Sequence, residues 1–309
     1  MKLGGLTGVL ARMTGMRVGV IDVGSNTVRL LVASVAGHEA RTLREERAHL
    51  GLGEEILRHG RVRRTKLDEV AAVTRDYARI ARKLGVRELE TVVTAPGRQG
   101  DQTQRLLDTI GRATAADVRV VSAEEEGRLA FAGAVSRANT GDAVVAVCDV
   151  GGGSTEVVVG TELLGPAWVR SVDLGSLRLT AAVLPSDPPA ATEIEAARSA
   201  VREAFAAVDP PRPEIALATG GSARAVARIV GHEYGSDELE RVVELLGSRP
   251  ASASAAKLGV RPDRARTLLA GALILAEVSN RLGVHFTPSR GGIREGVAFR
   301  LASRRLAAA

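Results

Sequence analysis

The sequence predicts an α/β protein built from two related domains, and three observations lead there. The chain has 309 residues, more than one domain usually holds. Apolar, β-branched runs alternate with segments of helical spacing, the pattern of strands and helices packed in layers. The chain also repeats itself. Val18-Gly-Val-Ile-Asp-Val-Gly-Ser-Asn-Thr27 and Ala143-Val-Val-Ala-Val-Cys-Asp-Val-Gly-Gly-Gly-Ser154 place Asp22 and Asp149 alike, 127 residues apart. Each copy is an apolar strand ending in Asp-Val-Gly, then small residues, then a second apolar strand.

The elements follow in order. Residues 17–21 and 28–35 read as strands around the first repeat loop. Residues 38–64 are polar, rich in Arg and Glu and punctuated by Gly, and give no regular pattern. Residues 65–84 put Leu67, Val70, Val73, Tyr77 and Ile80 on one helical stripe. A short strand over 90–94 leads into the loop Ala95-Pro-Gly-Arg98, followed by a helix over 102–109 and a strand over 118–121. Ser122 with Glu125 fits a capping box, so a helix starts there and runs to Val135. Strands over 143–149, 157–159 and 168–173 surround the second repeat loop. Residues 185–189 form a turn and 192–208 a helix. A strand over 215–218 enters the turn Thr219-Gly-Gly-Ser222, which opens another helix over 223–230. The remainder is mostly helical, apart from 287–292.

Composition narrows the function. Hydrophobic residues make up 45% and charged residues 25% of the chain, an ordinary globular mixture. With 2% aromatics the core is built from Ala, Val and Leu, and stacking platforms for single-stranded nucleic acid are lacking. No basic module for duplex recognition is present, so nucleic acid is not an expected partner. The net charge is +6, and all but four of the 42 basic residues are arginine. Arginine's planar fork suits phosphate oxygens, although joint inflation of Ala and Arg also reflects base composition. The single cysteine, Cys148, lies in an apolar run and reads as a buried thiol; it excludes an internal disulfide and a multi-cysteine metal site. No apolar run is long enough to span a membrane. The leader 1–15 is broken by glycines and Arg12 and is a poor secretion signal. Met16 offers an alternative start, and the expected location is cytoplasmic.

The chemistry concentrates in the two repeat loops. Glycine and serine at a strand–turn–strand bend let backbone N–H groups approach a phosphate without side-chain clash. The Asp at the strand end can hold a metal or fix the loop. Two such loops suggest two facing domains with a phosphate chain held between them.

At this point the sequence resembles the actin, sugar-kinase and Hsp70 superfamily. Within it, the chain is similar to the exopolyphosphatase and guanosine pentaphosphate phosphohydrolase (Ppx/GppA) family. The resemblance is carried by Ile21-Asp-Val-Gly-Ser-Asn26, Ser122-Ala-Glu-Glu-Glu-Gly-Arg-Leu129, Asp149-Val-Gly-Gly-Gly-Ser-Thr-Glu156, Leu174-Gly-Ser-Leu-Arg-Leu179, Thr219-Gly-Gly-Ser222 and Gly292-Ile-Arg-Glu-Gly296. It implies two RNase H-like (actin-like ATPase) domains with an active-site cleft between them. The first domain would cover 1–124, with a C-terminal helix over 296–309 packing back on it, and the second 125–295.

Hydrolysis of a phosphoanhydride needs charge neutralisation, an in-line water and a base. Asp149 and Glu156 bracket the second loop and can both face one Mg²⁺, or Mn²⁺ in its place. In the acidic run Glu124-Glu-Glu126, the cap occupies Glu125 and leaves Glu126 as the base, where the family's catalytic glutamate also aligns; Glu125 is the alternative. The phosphate contacts are expected from Asp22, Gly24, Ser25, Asn26 and Thr27 in the first loop and from Gly151, Gly152, Gly153, Ser154 and Thr155 in the second. Gly220, Gly221 and Ser222 precede a helix and suit another phosphate. The resemblance assigns Arg98 to phosphate, although Ala-Pro-Gly-Arg departs from the family's commoner Ser-Ala-Leu-Arg. Arg178 and Arg294 are either ligands or partners of nearby acids.

The expected activity is release of terminal orthophosphate from inorganic polyphosphate. The stop soon after Gly-Ile-Arg-Glu-Gly favours short chains or a dimer partner. Hydrolysis of guanosine pentaphosphate on the same site is the alternative, and an actin- or Hsp70-like nucleotide switch is a rival of another class. A homodimer and a monovalent-ion requirement are further expectations of the resemblance.

Overall fold

The structure, a computed structural model, describes residues 15–37 and 39–307; leader residues 1–14 lie outside it. The chain divides into two compact units. One takes the described residues through Val121 and the chain again from Arg294; the other is Ser122–Ile293.

The first unit is built on a five-stranded sheet in the order β3-β2-β1-β4-β5. Strands β1 (Met16–Val23), β2 (Thr27–Ala36) and β3 (Glu39–His49) form an antiparallel meander. β4 (Glu88–Val93) runs parallel to β1, and β5 (Asp117–Val120) parallel to β4. The second unit repeats the plan. β6 (Val145–Val150), β7 (Thr155–Thr161) and β8 (Gly165–Val172) form the meander, and β9 (Ile215–Thr219) and β10 (Phe286–Pro288) continue in parallel beside β6. The sequence repeat is therefore a repeat of topology.

The two repeat hairpins also agree in detail. Val23 pairs with Val28 and Val150 with Thr155, so the same number of residues spans each bend. Gly24 N–H donates to Thr27 O at 3.1 Å, and Gly151 N–H to Ser154 O at 3.0 Å. Small residues at both bends allow this tight return.

Residues 38–64, patternless in sequence, hold β3 and α1 (Leu52–His59). β3 is an edge strand in which Ala40 alone is buried. Its Arg and Glu side chains face water on both sides, so no alternation marks it, and charge of this kind keeps an edge from pairing with another chain. Helix α2 (Arg64–Lys83) buries Leu67, Val70, Thr74, Tyr77, Ala78 and Ala81. The buried stripe keeps Leu67, Val70 and Tyr77 of the expected one, while Val73 and Ile80 are partly buried at its flank. The expected loop at 95–98 is a short helix, α3 (Ala95–Gln99), with Pro96 in its first turn, where proline's missing N–H costs nothing. α4 (Thr103–Thr114) completes this side.

In the second unit, α5 (Ala123–Val135) precedes the meander; α6 (Ser176–Val183) and α7 (Ala191–Ala204) follow it. Then come α8 (Gly220–Val230), α9 (Ser236–Gly247), α10 (Ala251–Leu258) and α11 (Pro262–Leu282). α11 is buried nearly all round from Ala265 to Leu282, as a central helix must be. Cys148 is fully buried on β6. The last helix, α12 (Ile293–Ala307), is tied to the first unit by Arg294–Glu45 at 2.9 Å, Arg300–Glu90 at 2.5 Å and Arg305–Glu88 at 2.7 Å.

Candidate active site

Both repeat loops are buttressed by helix N-termini in the same manner. In the second unit, Ser176 N–H donates to Gly151 O at 2.9 Å, and Leu177 and Arg178 N–H to Gly152 O at 3.0 and 3.1 Å. The orphan amides of α6 are thereby satisfied by loop carbonyls. A trans peptide points its C=O and N–H in opposite directions, so Gly152 and Gly153 N–H face away from α6. This packing needs Gly175, where a Cβ would fall 2.5–2.6 Å from the backbone of Gly152 and Gly153. Thr155 Oγ1 donates to Leu174 O at 2.7 Å and draws the far side of the loop to the same segment. In the first unit, Gly53 N–H at the start of α1 donates to Ser25 O at 2.7 Å, and Leu50 and Gly51 N–H reach Asn26 O. Asn26 N–H accordingly points away from α1.

The loops differ in charge. Asp22 lies opposite Arg29 on β2. Burial raises the Asp22 pKa, the Arg29 and Arg294 guanidinium groups oppose that rise, and Glu295 adds to it. Arg29 Nε also donates to Thr27 Oγ1 at 3.3 Å. Asp149, in the equivalent place, lies opposite Glu156 on β7. Glu156 is 1% exposed. Its pKa is pushed well above the usual carboxylate range, first by burial and then by the charges of Glu126 and Asp149. Hydrogen bonds from Ser171, whose hydroxyl donates to Oε1 at 2.8 Å, and from Ser154 work the other way.

Glu126 arrives on α5. Ser122 caps that helix, its Oγ accepting from Glu125 N–H at 3.1 Å. Of the three acids, Glu124 is exposed and pairs with Arg128 at 2.9 Å, and Glu125 is half-buried. Glu126 is buried and stands within electrostatic reach of Glu156. Gly127 makes the approach possible: a Cβ there would sit 3.0 Å from Val158 Cγ2, 3.2 Å from Val169 Cγ1 and 3.5 Å from Glu156 Cβ.

Gly220 completes the group. Thr219 is in register with Asp149, and a Cβ on Gly220, whose φ is +86°, would fall 2.6 Å from Asp149 Oδ1. The turn expected before the helix is its first turn, since α8 begins at Gly220. The guanidinium of Arg264, on α11, lies over Gly221, where a Cβ would meet Nη2 at 2.5 Å. Sequence spacing gave no signal for Arg264. Ser222 goes elsewhere: it is fully buried, and its Oγ packs against Gly271 of α11.

The second unit therefore gathers Glu126, Asp149, Gly151, Gly152, Gly153, Ser154, Thr155, Glu156, Gly220 and Gly221. Asp22, Gly24, Ser25, Asn26 and Thr27 sit together in the first unit. Arg98, also there, donates from Nη1 to Val121 O at 2.8 Å. Arg178 pairs with Asp173 and Arg294 with Glu45, so both candidate ligands have acid partners.

A divalent cation fits the second loop by donor chemistry. Buried Glu156 faces one carboxylate and neighbours another, and a hard cation would relieve that crowding. Among the described residues, no three His, Cys, Asp or Glu side chains form a ready cage. Mg²⁺ commonly takes one or two carboxylates and completes its shell with water and phosphate oxygens.

The family model described as the Ppx/GppA phosphatase family matches residues 31–305. Exopolyphosphatase 1 of Mycobacterium tuberculosis is 29% identical over 306 residues, covering 92% of this chain and 88% of its own. Exopolyphosphatase 2 of the same organism is 30% identical over 320 residues, covering 93% and 98%. Two solved structures share the fold. The Aquifex aeolicus member of the Ppx/GppA family superposes with a TM-score of 0.80 at 24% identity, over 94% of this chain and 98% of its own. An exopolyphosphatase from Cytophaga hutchinsonii gives 0.84 at 22% identity, over 94% and 98%.

Proposed function

Because this chain belongs to the Ppx/GppA phosphatase family, we propose that it is an exopolyphosphatase that releases terminal orthophosphate from inorganic polyphosphate. The observation that carries this reading is the facing pair Asp149 and Glu156, with Glu126 beside it. Asp149 and Glu156 would hold Mg²⁺, which when bound supplies charge neutralisation to the phosphate oxygens.

The remaining work belongs to the chain's own groups. Gly152 and Gly153 N–H point away from α6, and backbone donors at such a glycine bend suit phosphate oxygens. Glu126 accepts the proton of a water whose oxygen attacks the terminal phosphorus. The bond from that phosphorus to the bridging oxygen breaks, and the electron pair leaves with the shortened chain. Gly220 lies beside Asp149 and the Arg264 guanidinium over Gly221, where cationic and N–H donors suit further phosphate oxygens. Asn26 N–H and its neighbours in the first loop, together with Arg98, are the proposed contacts of the first unit.

The test is phosphate release from short and long polyphosphate, guanosine pentaphosphate and ATP, with and without Mg²⁺. Polyphosphate turnover that requires the divalent ion is expected. Turnover of the pentaphosphate nucleotide alone would transfer the same site to that substrate, and turnover of ATP alone would defeat the reading. Sedimentation of the intact chain and a K⁺ series decide the proposed homodimer and monovalent-ion requirement. Among the described residues no helix is long and apolar enough to cross a membrane.

A further inference from the structure

Helix α5 carries Glu126 and meets β7 and β8 beside that residue through Gly127, against the methyl groups of Val158 and Val169, and through the exposed Arg128, whose Nη1 donates to Pro166 O at 3.3 Å. The methyl contact at Gly127 is non-directional: it holds the helix close without by itself fixing slide or roll. Buried directional bonds occur two turns further on, at the segment between β10 and α12. Ser289 Oγ donates to Ala134 O at 3.1 Å and accepts from Gly291 N–H at 3.1 Å. Gly291 lies directly on the carbonyl of Gly133, with no room for a side chain. These carbonyls belong to the last turn of α5, where Ala134 O also accepts from Arg137 N–H at 3.3 Å and Gly133 O from the Ser136 hydroxyl at 3.0 Å.

The same segment is fastened to β9. Ser289 N–H donates to Ala218 O at 2.8 Å, and Thr219 Oγ1 donates to Gly291 O at 2.7 Å. A Cβ on Gly292 would sit 2.8 Å from Thr219 Oγ1. Thr219 is the register partner of Asp149. A continuous set of buried hydrogen bonds thus joins the strand end beside Asp149 to the helix that bears Glu126. Ser289 is its central member, 5% exposed and bonded on both sides.

We infer that Ser289 is a positioning residue: the segment Ser289–Gly292 buckles α5 to the end of β9 and thereby sets Glu126 against Asp149 and Glu156. This rests on the reading of Glu126 as the base. Displacement of a base by a fraction of its hydrogen-bond length lowers turnover while leaving substrate contacts made by other groups in place.

The test is a double-mutant cycle on polyphosphate hydrolysis, well below the melting temperature, with Ser289→Ala, Glu126→Gln and the pair. The expected result is a fall in kcat of about tenfold for Ser289→Ala with KM within twofold, recovery in Ser289→Thr, and no further loss when Ser289→Ala is added to Glu126→Gln. An unchanged kcat, a loss confined to KM, or full additivity with Glu126→Gln would overturn the inference. If Ser289→Ala does not fold, Thr219→Val removes the other hydroxyl of the buckle at constant shape and enters the same cycle. An inactive wild type, or a fully active Glu126→Gln, condemns the function reading instead and is told apart by the single variants alone.

Discussion

Asp149 and Glu156 face each other directly across β6 and β7, in the place where Asp22 faces Arg29 across β1 and β2. One duplicated hairpin therefore sets an acid opposite a base and the other sets two acids opposite each other. Like charges directly opposite in a sheet are unfavourable, and here one of them is also buried. A fold does not keep such a pair for its own stability; it is compatible with a site that receives a cation. The two loops are thus unequal by a single cross-strand position.

Glu156→Gln is expected to stabilise the metal-free protein by about 0.5–1 kcal/mol, because Gln keeps an oxygen for the Ser171 hydroxyl and removes one repulsive charge. Activity should fall at the same time, a trade seen wherever function holds a strained arrangement. Thermal unfolding in EDTA and then in Mg²⁺ checks both halves. The ion should raise the wild-type Tm by mass action and leave the variant's nearly unmoved. A variant that melts below wild type in EDTA would remove the argument from charge crowding.

The same pair sets a pH dependence. Glu156 binds its proton more tightly in the folded than in the unfolded chain, through burial and then the charges of Glu126 and Asp149. Its contribution to stability is full below its unfolded pKa and is lost as pH rises through the raised folded value. Gln at this position does not titrate. Denaturant unfolding in EDTA should therefore show Glu156→Gln gaining on wild type as pH climbs above the ordinary carboxylate range. A difference that is flat with pH would mean that Glu156 is not held toward its neutral form.

Gly220→Ala should damage the site through backbone alone. The residue has φ +86°, and a Cβ would stand 2.6 Å from Asp149 Oδ1, so the substitution strains the turn and displaces the carboxylate. The cost in stability is about 1–3 kcal/mol, with a rise in the Mg²⁺ concentration needed for half-maximal activity. A variant that keeps both Tm and metal dependence would show that Asp149 does not hold the ion.

Ser222→Ala separates the sequence reading from the packing. Its hydroxyl is fully buried against Gly271 and has no protein hydrogen-bond partner among the described residues. Removing an unsatisfied buried hydroxyl is neutral or stabilises by about 1 kcal/mol. KM for polyphosphate should stay within twofold. A several-fold rise in KM would return Ser222 to the phosphate contacts that its Gly-Gly-Ser setting suggests.

What could be read from sequence follows from how far each interaction reaches along the chain. The hairpins at Asp22 and Asp149 were legible because strand, bend and strand are contiguous and the copies match. The N-cap at Ser122 was legible for the same reason, with Ser122 Oγ accepting from Glu125 N–H. β3 was not, since an exposed edge strand has no buried face to impose alternation. Nor were Gly127 and Gly175, whose value lies in contacts with Val158 and with Gly152, distant in sequence. Arg264 and the buckle at Ser289 likewise depend on partners that only the fold brings near. Ser222 failed for the opposite reason: a local motif was read without the helix that covers it.

Glu125 and Glu126 are adjacent on α5, so their side chains project about 100° apart around the helix. Only one of them can face β7, and Gly127 against Val158 and Val169 settles which side of the helix that is. Glu126 is the one whose charge acts on Glu156, while Glu125 is half-buried and gives its backbone N–H to Ser122. Removing a general base costs roughly 10²–10⁴-fold in turnover. Glu126→Gln should therefore lose that much in kcat, with KM little changed, and Glu125→Gln should stay within a few-fold of wild type. Equal losses in both would point to a disturbed helix start, which far-UV CD and Tm would register. A large loss in Glu125→Gln alone, with an intact melt, would move the base to Glu125 and require α5 to turn by that angle in the working enzyme.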